Sequence, residues 1–214
     1  MKCPLSSCSS GCKCVIHYGI FFSFVILGAA IYFSGTNHLL FSIINSWYPL
    51  LPMWVWETIS CLTYSKFMIL QILLLIITYI WRRNKLYNII LLLISYYIIF
   101  TIIKHVMHEA RPYMVLAPGT FNFLNLFENQ THGAYLSYPS GHVGNMAIFA
   151  FALNSMFFEH KRLLQALMFL LIVITAISRI CMGWHWPLDV LSSGLIGYLL
   201  VKICLCIKFK YGFK

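Results

Sequence analysis

Residues 178 to 189, SRICMGWHWPLD, place an arginine, a histidine and an aspartate in a short joint between two strongly apolar stretches. Asp189 follows His185 by four residues. A carboxylate at that spacing can hold one imidazole nitrogen, fix the tautomer and leave the other nitrogen free to attack an electrophile. A plainer role for Asp189 is to stabilise the first turn of the helix that Pro187 restarts. Trp184 and Trp186 read as interfacial belt residues. Arg179 adds a cation near the end of the preceding helix.

Two further stretches carry the same kind of side chain. In KHVMHEARP, Lys104 and Arg111 lie seven residues apart, which predicts two cations on one face of a helix or its extension, ended by Pro112. Snorkelling toward lipid headgroups would explain each alone. Together they form an anion clamp, with Arg111 as a planar fork and Lys104 as a mobile point charge. In YPSGHVGN, Pro139 precedes a helix, Ser140 is its expected N-cap, and Gly141 lets a ligand approach the backbone. Free N–H groups at such a terminus attract anions. An ordinary cap has no need of His142, which can give a proton to a leaving oxygen near neutral pH. Two histidines, one aspartate, three cations and a helix-terminus anion site specify phosphoryl chemistry with a histidine nucleophile.

The elements that must position these groups are membrane helices. Of 214 residues, 61% are hydrophobic and 9% charged, and the mean hydropathy is +0.82. A span needs about 20 apolar residues. Six stretches qualify, at 15 to 34, 58 to 81, 86 to 104, 140 to 158, 163 to 182 and 188 to 207. The expected fold is therefore all-α: a polytopic six-helix bundle, residues 1–214 forming one membrane-embedded domain. The first span lacks a small-residue cleavage site and is expected to be retained as an anchor.

The net charge of +10 does not gather into a basic face with interleaved aromatics, so nucleic acid is not an expected partner. With both termini in the cytoplasm, Lys2, Lys13, Arg82, Arg83, Lys85, Lys161, Arg162, Lys202, Lys208, Lys210 and Lys214 all fall inside. That is eleven of the fifteen Lys and Arg, as the positive-inside rule requires. Lys66, Lys104, Arg111 and Arg179 remain, and all three polar stretches then face the extracytoplasmic side. Ionisable groups at span ends are expensive unless they face water or a bundle interior.

Residues 1–14 form a cytoplasmic tail with Cys3, Cys8, Cys12 and Cys14, expected to be disordered and reduced because no second ligand pair completes a zinc knuckle. Cys61 and Cys181 could both lie near the outer face. His105 and His108 lie beside Glu109 but do not make the His-Glu-x-x-His zinc arrangement, and no metal or other cofactor is expected.

Lys104, Arg111-Pro112, then Pro139-Ser140-Gly141-His142, then Ser178-Arg179, His185 and Asp189 resemble the complete three-part signature of the type-2 phosphatidic acid phosphatase superfamily. The resemblance covers roughly residues 100 to 190. It implies a metal-independent membrane phosphatase in which His185 attacks phosphorus, Asp189 orients it and His142 protonates the leaving group. Lys104, Arg111, Ser140, the Gly141 backbone and Arg179 would hold the phosphate oxygens. RPYMV and GWHWPLDV are most similar to bacterial phosphatidylglycerophosphatase B-like enzymes, which act on lipid phosphates and diphosphates including undecaprenyl diphosphate. The expected substrate is a membrane lipid phosphate, with the site on the outer, periplasmic face of a bacterial inner membrane. A lipid A phosphatase, a lipid-to-lipid phosphotransferase and an anion-binding transporter are the competing readings.

Residues 113–138 form the expected extracytoplasmic loop. Tyr113, Phe121, Phe123, Leu124, Leu126 and Phe127 either enter the membrane interface to admit a lipid or pack on the bundle. Asn129-Gln130-Thr131 is a formal glycosylation sequon.

Overall fold

The structure is a computed structural model that describes residues 11–64, 68–124, 133–158 and 161–207; the side chains of 11–18 and 20 lie outside the description. Residues 1–10 of the Cys-rich tail, Lys66, Leu126, Phe127, the sequon and the last seven residues are also outside it, while residues 11–14 of that tail are helical, as the start of α1. Helices α1 (Gly11–Ser34) and α2 (Asn37–Asn45) are followed by a 3₁₀ turn at Tyr48–Leu50, then α3 (Met53–Thr63) and α4 (Ile69–Trp81). After a second 3₁₀ turn at Arg83–Lys85 come α5 (Leu86–Met107), short α6 (Pro112–Val115), α7 (Gly141–Phe157), α8 (Arg162–Cys181) and α9 (Pro187–Cys206). No strand occurs among the described residues.

Among the described residues, three segments are long and apolar enough to cross a membrane: Arg83–Val115, Arg162–Cys181 and Pro187–Cys206. Phe21–Ser34 and Asn37–Leu50 meet the same test as a pair bent by 106°. The apolar stretch 58–81 is not one continuous helix. It breaks after Thr63, and Met68 at the start of α4 takes a left-handed φ of 53°. Hydropathy reports burial in lipid, which a turn flanked by apolar residues does not interrupt.

The second departure concerns the cation clamp. Helix α5 ends at Met107, where His108 adopts φ 46° and its N–H bonds the Lys104 carbonyl. Arg111 is extended, and Pro112 opens α6 instead of closing the third span. Lys104 and Arg111 therefore do not share a helix face. A left-handed cap by a non-glycine residue leaves no clear signal in sequence.

Helix α7 is the hub. Its residues from Val143 through Leu153 are buried, as expected of a helix apolar on every side, and it packs on α9 and α8. Small residues allow the approach: a Cβ on Gly197 would stand 2.7 Å from the Ala147 Cβ, and one on Gly144 would stand 2.3 Å from the Phe100 ring. Buried amides tie the helix ends together where water cannot. Asn45 Nδ2 reaches the carbonyls of Asn122, Ile180 and Cys181 at 2.9–3.0 Å, and Asn88 Nδ2 donates to those of Cys204 and Ile207. Apolar side chains of α4, such as Ile72, Ile76 and Ile80, face outward, as lipid-facing residues do.

Candidate active site

The three polar stretches converge where the start of α7, the end of α8 and the start of α9 meet. Pro187 stands at the first position of α9, so Asp189 falls in its first turn. There its Oδ2 accepts the backbone N–H of Trp186 at 2.9 Å and the Ser137 hydroxyl at 2.6 Å. The cap and the orienting carboxylate are one group. Asp189 is fully buried, with Oδ2 3.4 Å from His185 Nδ1, an electrostatic contact rather than an aligned hydrogen bond.

On the other side of the ring, Arg111 Nη1 lies 3.4 Å from His185 Nε2. Guanidinium nitrogens only donate, so Nε2 accepts and the imidazole proton belongs on Nδ1, toward Asp189. That tautomer puts the lone pair on Nε2, the nitrogen that faces Arg111. His185 lies in the joint between α8 and α9, and its pKa is held well below the usual imidazole value, first by burial and then by Arg111, Arg179, Lys104 and His142. The ring is neutral at neutral pH.

Arg111 is braced by the loop before α7. Its Nε donates to the Gly133 carbonyl at 2.8 Å, Nη1 to that of Trp184 at 3.0 Å and Nη2 to that of Leu136 at 3.3 Å. Together with the contact to His185, these use four of the five guanidinium donors. Lys104 Nζ donates to the carbonyls of Leu136 and Pro139 at 2.9 and 2.6 Å, which ties the loop to α5 and leaves a third ammonium proton. Both cations therefore brace the loop as well as supplying charge.

Ser140 stands at the N-cap of α7 but makes no side-chain cap bond, and its buried hydroxyl has no hydrogen-bond partner among the described residues. A buried hydroxyl without a partner costs free energy, and an incoming phosphate oxygen would remove that cost. A Cβ on Gly141 would meet nothing nearer than the Tyr96 hydroxyl at 3.8 Å, so packing does not require glycine there. The buried Arg179 Nε likewise has no partner among the described residues, while Nη1 donates to Ser60 Oγ at 2.8 Å.

Ser60 and Ser137 are the positions that motif reading does not find. Ser60 Oγ also lies 3.3 Å from His142 Nε2, and the Tyr64 ring stacks on His142 at 5.3 Å, so α3 contributes a wall to the site. Asn145 Nδ2 donates to the Thr63 carbonyl at 3.1 Å and holds α3 against α7.

Trp184 and Trp186 do not lie in an interfacial belt; both are buried. Trp184 Nε1 donates to Leu124 and Trp186 Nε1 to Ala110, and the guanidinium carbons of Arg111 and Arg179 lie 5.2 and 5.6 Å from the Trp184 ring. Each indole fastens the motif joint to a loop. The described part of 113–138 packs on the bundle too, with Tyr113 and Phe123 against Trp184. Gly183 has φ +75°, and a Cβ there would meet the Asn122 carbonyl at 2.7 Å, so this turn requires glycine.

His105 and His108 lie away from this centre: His105 Nδ1 is 2.8 Å from the Thr101 carbonyl and His108 stacks on Tyr135. Among the described residues no group of three or more His, Cys, Asp or Glu is placed to hold a metal ion. Cys61 and Cys181 are both free thiols.

The family model of the PAP2 superfamily matches residues 85–213, so the chain belongs to that superfamily and is a phosphatase. It is 31% identical over 176 residues to the putative undecaprenyl-diphosphatase YbjG of Escherichia coli strain K12, covering 78% of this chain and 81% of that protein. Among solved structures it resembles LpxE of Aquifex aeolicus, with a TM-score of 0.63, 25% identity, and coverage of 79% of this chain and 94% of the other. The fold is also shared with a transmembrane PAP2-type phosphatidylglycerolphosphate phosphatase of Bacillus subtilis, at a TM-score of 0.59 and 23% identity, covering 89% and 94%.

Proposed function

We propose that the protein removes the terminal phosphate from a membrane lipid diphosphate or phosphate through a phosphohistidine. Undecaprenyl diphosphate is the leading substrate, supported by the likeness to YbjG. The observation that carries the mechanism is the setting of His185, with Nδ1 toward Asp189 and Nε2 toward Arg111.

The terminal phosphate lies among Arg111, Arg179, Lys104, the Ser140 hydroxyl and the Gly141 amide, with the dipole of α7 behind it. His185 Nε2 attacks phosphorus and forms a P–N bond as the P–O bond to the lipid breaks. His142 gives its proton to the leaving oxygen. Asp189 stabilises the positive charge that develops on the His185 ring. A water that transfers its proton to His142 then attacks phosphorus, the P–N bond breaks, and inorganic phosphate departs with both histidines restored. No metal takes part. Phosphoryl transfer is mostly positioning and electrostatic stabilisation, which this group of donors is suited to supply.

Six spans with both termini in the cytoplasm put this chemistry on the periplasmic face of a bacterial inner membrane, in one domain spanning residues 1–214, as the Lys and Arg distribution supports. In that arrangement α3 with α4 forms the second, broken span.

The test is phosphate release by detergent-purified wild type and His185→Ala, with chelator present. The panel contains undecaprenyl diphosphate, phosphatidylglycerophosphate, phosphatidic acid and lipid A. Release by wild type alone is expected, fastest from undecaprenyl diphosphate. A folded wild type that releases phosphate from none of these, or a His185→Ala variant that retains function, would turn the assignment toward phosphotransfer or anion transport.

A further inference from the structure

A cavity of about 670 Å³ lies between α1, α2, α8 and α9, lined almost wholly by apolar side chains. On α1 it runs from Gly19 to Ile31, and on α8 from Phe169 to Ile180. Twelve residues of helix rise ~18 Å, more than half of a ~30 Å hydrocarbon core. One end of the cavity adjoins the candidate active site. Val143, Ile180 and Val190 line it and directly follow His142, Arg179 and Asp189 in the chain. At this end α1 and α2 are anchored to the catalytic joint, since Asn37 Oδ1 accepts the Leu188 N–H at 3.1 Å and the Phe41 and Trp186 rings pack at 5.0 Å. In the far half, the rings of Phe24 and Phe169 meet edge to face at 6.2 Å between α1 and α8.

We infer that this cavity binds one hydrocarbon chain of the lipid phosphate, with the chain running from the phosphorus site down between α1 and α8 toward the Phe24–Phe169 pair. The inference rests on the lipid phosphatase reading and adds where the tail goes. An interior surface with almost no polar groups offers a water-soluble ligand nothing to bond, whereas a hydrocarbon chain gains contact along its whole length. The nearness of its lining residues Val143, Ile180 and Val190 to His142, Arg179 and Asp189 in the chain favours the substrate's own tail over an unrelated annular lipid. The Phe24–Phe169 pair makes the cavity sensitive to chain length.

The chemistry required is a single chain, isoprenoid or acyl. Steady-state rates are compared for a short, water-soluble alkyl diphosphate, a long polyprenyl diphosphate and a long-chain diacylglycerol phosphate. The proteins are wild type, Ala176→Trp, which fills the middle of the cavity, and Phe169→Ala, which opens its far half. Ala176→Trp is expected to raise KM for long-chain substrates by about tenfold or more while changing kcat/KM for the short substrate less than about twofold. Phe169→Ala should shift the preference toward longer chains. Whether the polyprenyl or the diacyl substrate loses more identifies the natural chain.

A polyprenyl diphosphate carrying a diazirine near its tail end provides a readout independent of turnover. In nanodiscs it should label α1 and α8 peptides, with labelling suppressed by unlabelled polyprenyl diphosphate and by Ala176→Trp. Unchanged long-chain KM in both folded variants, or labelling that avoids α1 and α8, overturns the tail site and leaves the phosphatase reading intact. Labelling of α1 and α8 by a wild type that turns over no substrate upholds the tail site and removes the phosphatase reading.

Discussion

Ser137 donates its hydroxyl proton to Asp189 Oδ2 at 2.6 Å, inside a fully buried contact between the loop before α7 and the first turn of α9. The carboxyl group that faces His185 is itself held from 52 residues away. Ser137→Ala removes a buried hydrogen bond and leaves Asp189 Oδ2 one donor short, at a cost of about 1–3 kcal/mol. The expected loss in kcat is about tenfold to a hundredfold, with KM little changed. Restoration by Ser137→Thr would show that the hydroxyl, and not side-chain volume, is what Asp189 needs. An Ala variant with full kcat would contradict the role.

Ser60 joins Arg179 to His142, because its Oγ accepts a guanidinium proton from Arg179 and also lies 3.3 Å from His142 Nε2. Ser60→Ala should therefore impair the proton transfer proposed for His142. The expected loss is about tenfold for a natural lipid diphosphate and smaller for an activated aryl phosphate, whose leaving group needs no proton. Equal losses on both substrates would mean that Ser60 acts only through phosphate binding by Arg179.

The acid limb of the pH profile follows from His185. Its pKa is lowered, so the ring remains neutral and nucleophilic as pH falls below the usual imidazole value of about 6.5. The acid limb of kcat/KM, which reports the free enzyme, should lie below that value. Arg111 is one of the charges that depress it. Arg111→Gln should lower the rate and also move the acid limb to higher pH. A lower rate with an unmoved limb would show that Arg111 acts on phosphate alone.

Gly183→Ala tests the turn that presents His185. A left-handed conformation costs a non-glycine residue about 1–2 kcal/mol, and the added Cβ would also press on the Asn122 carbonyl at 2.7 Å. Both a lower Tm and a lower kcat are expected. Wild-type values for both would mean that the joint tolerates displacement.

The grouping of Lys104, Arg111, Ser140, His142, Arg179, His185 and Asp189 was legible because ionisable side chains at the ends of apolar spans are rare enough to mark a site. Ser60 and Ser137 were not. A serine near a span end is ordinary, and its meaning comes only from distant partners such as Arg179 and Asp189. The all-helical fold follows from the apolar runs. The stop of α3 at Thr63 and the left-handed stop at His108 do not, because hydropathy cannot distinguish a straight helix from a broken one in the same lipid. Trp184 and Trp186 show a related limit: composition suggested the interface, while their N–H groups fasten buried loops.

The central claim is that His185 takes the phosphoryl group. The direct measurement is rapid quench of purified protein with undecaprenyl diphosphate labelled in its terminal phosphate, followed by mapping of label on the protein. The account predicts an acid-labile, base-stable phosphate on the peptide containing His185, formed within the first turnover and absent from His185→Ala. Label on another residue, or turnover by a folded His185→Ala variant with no protein-bound phosphate, would contradict it.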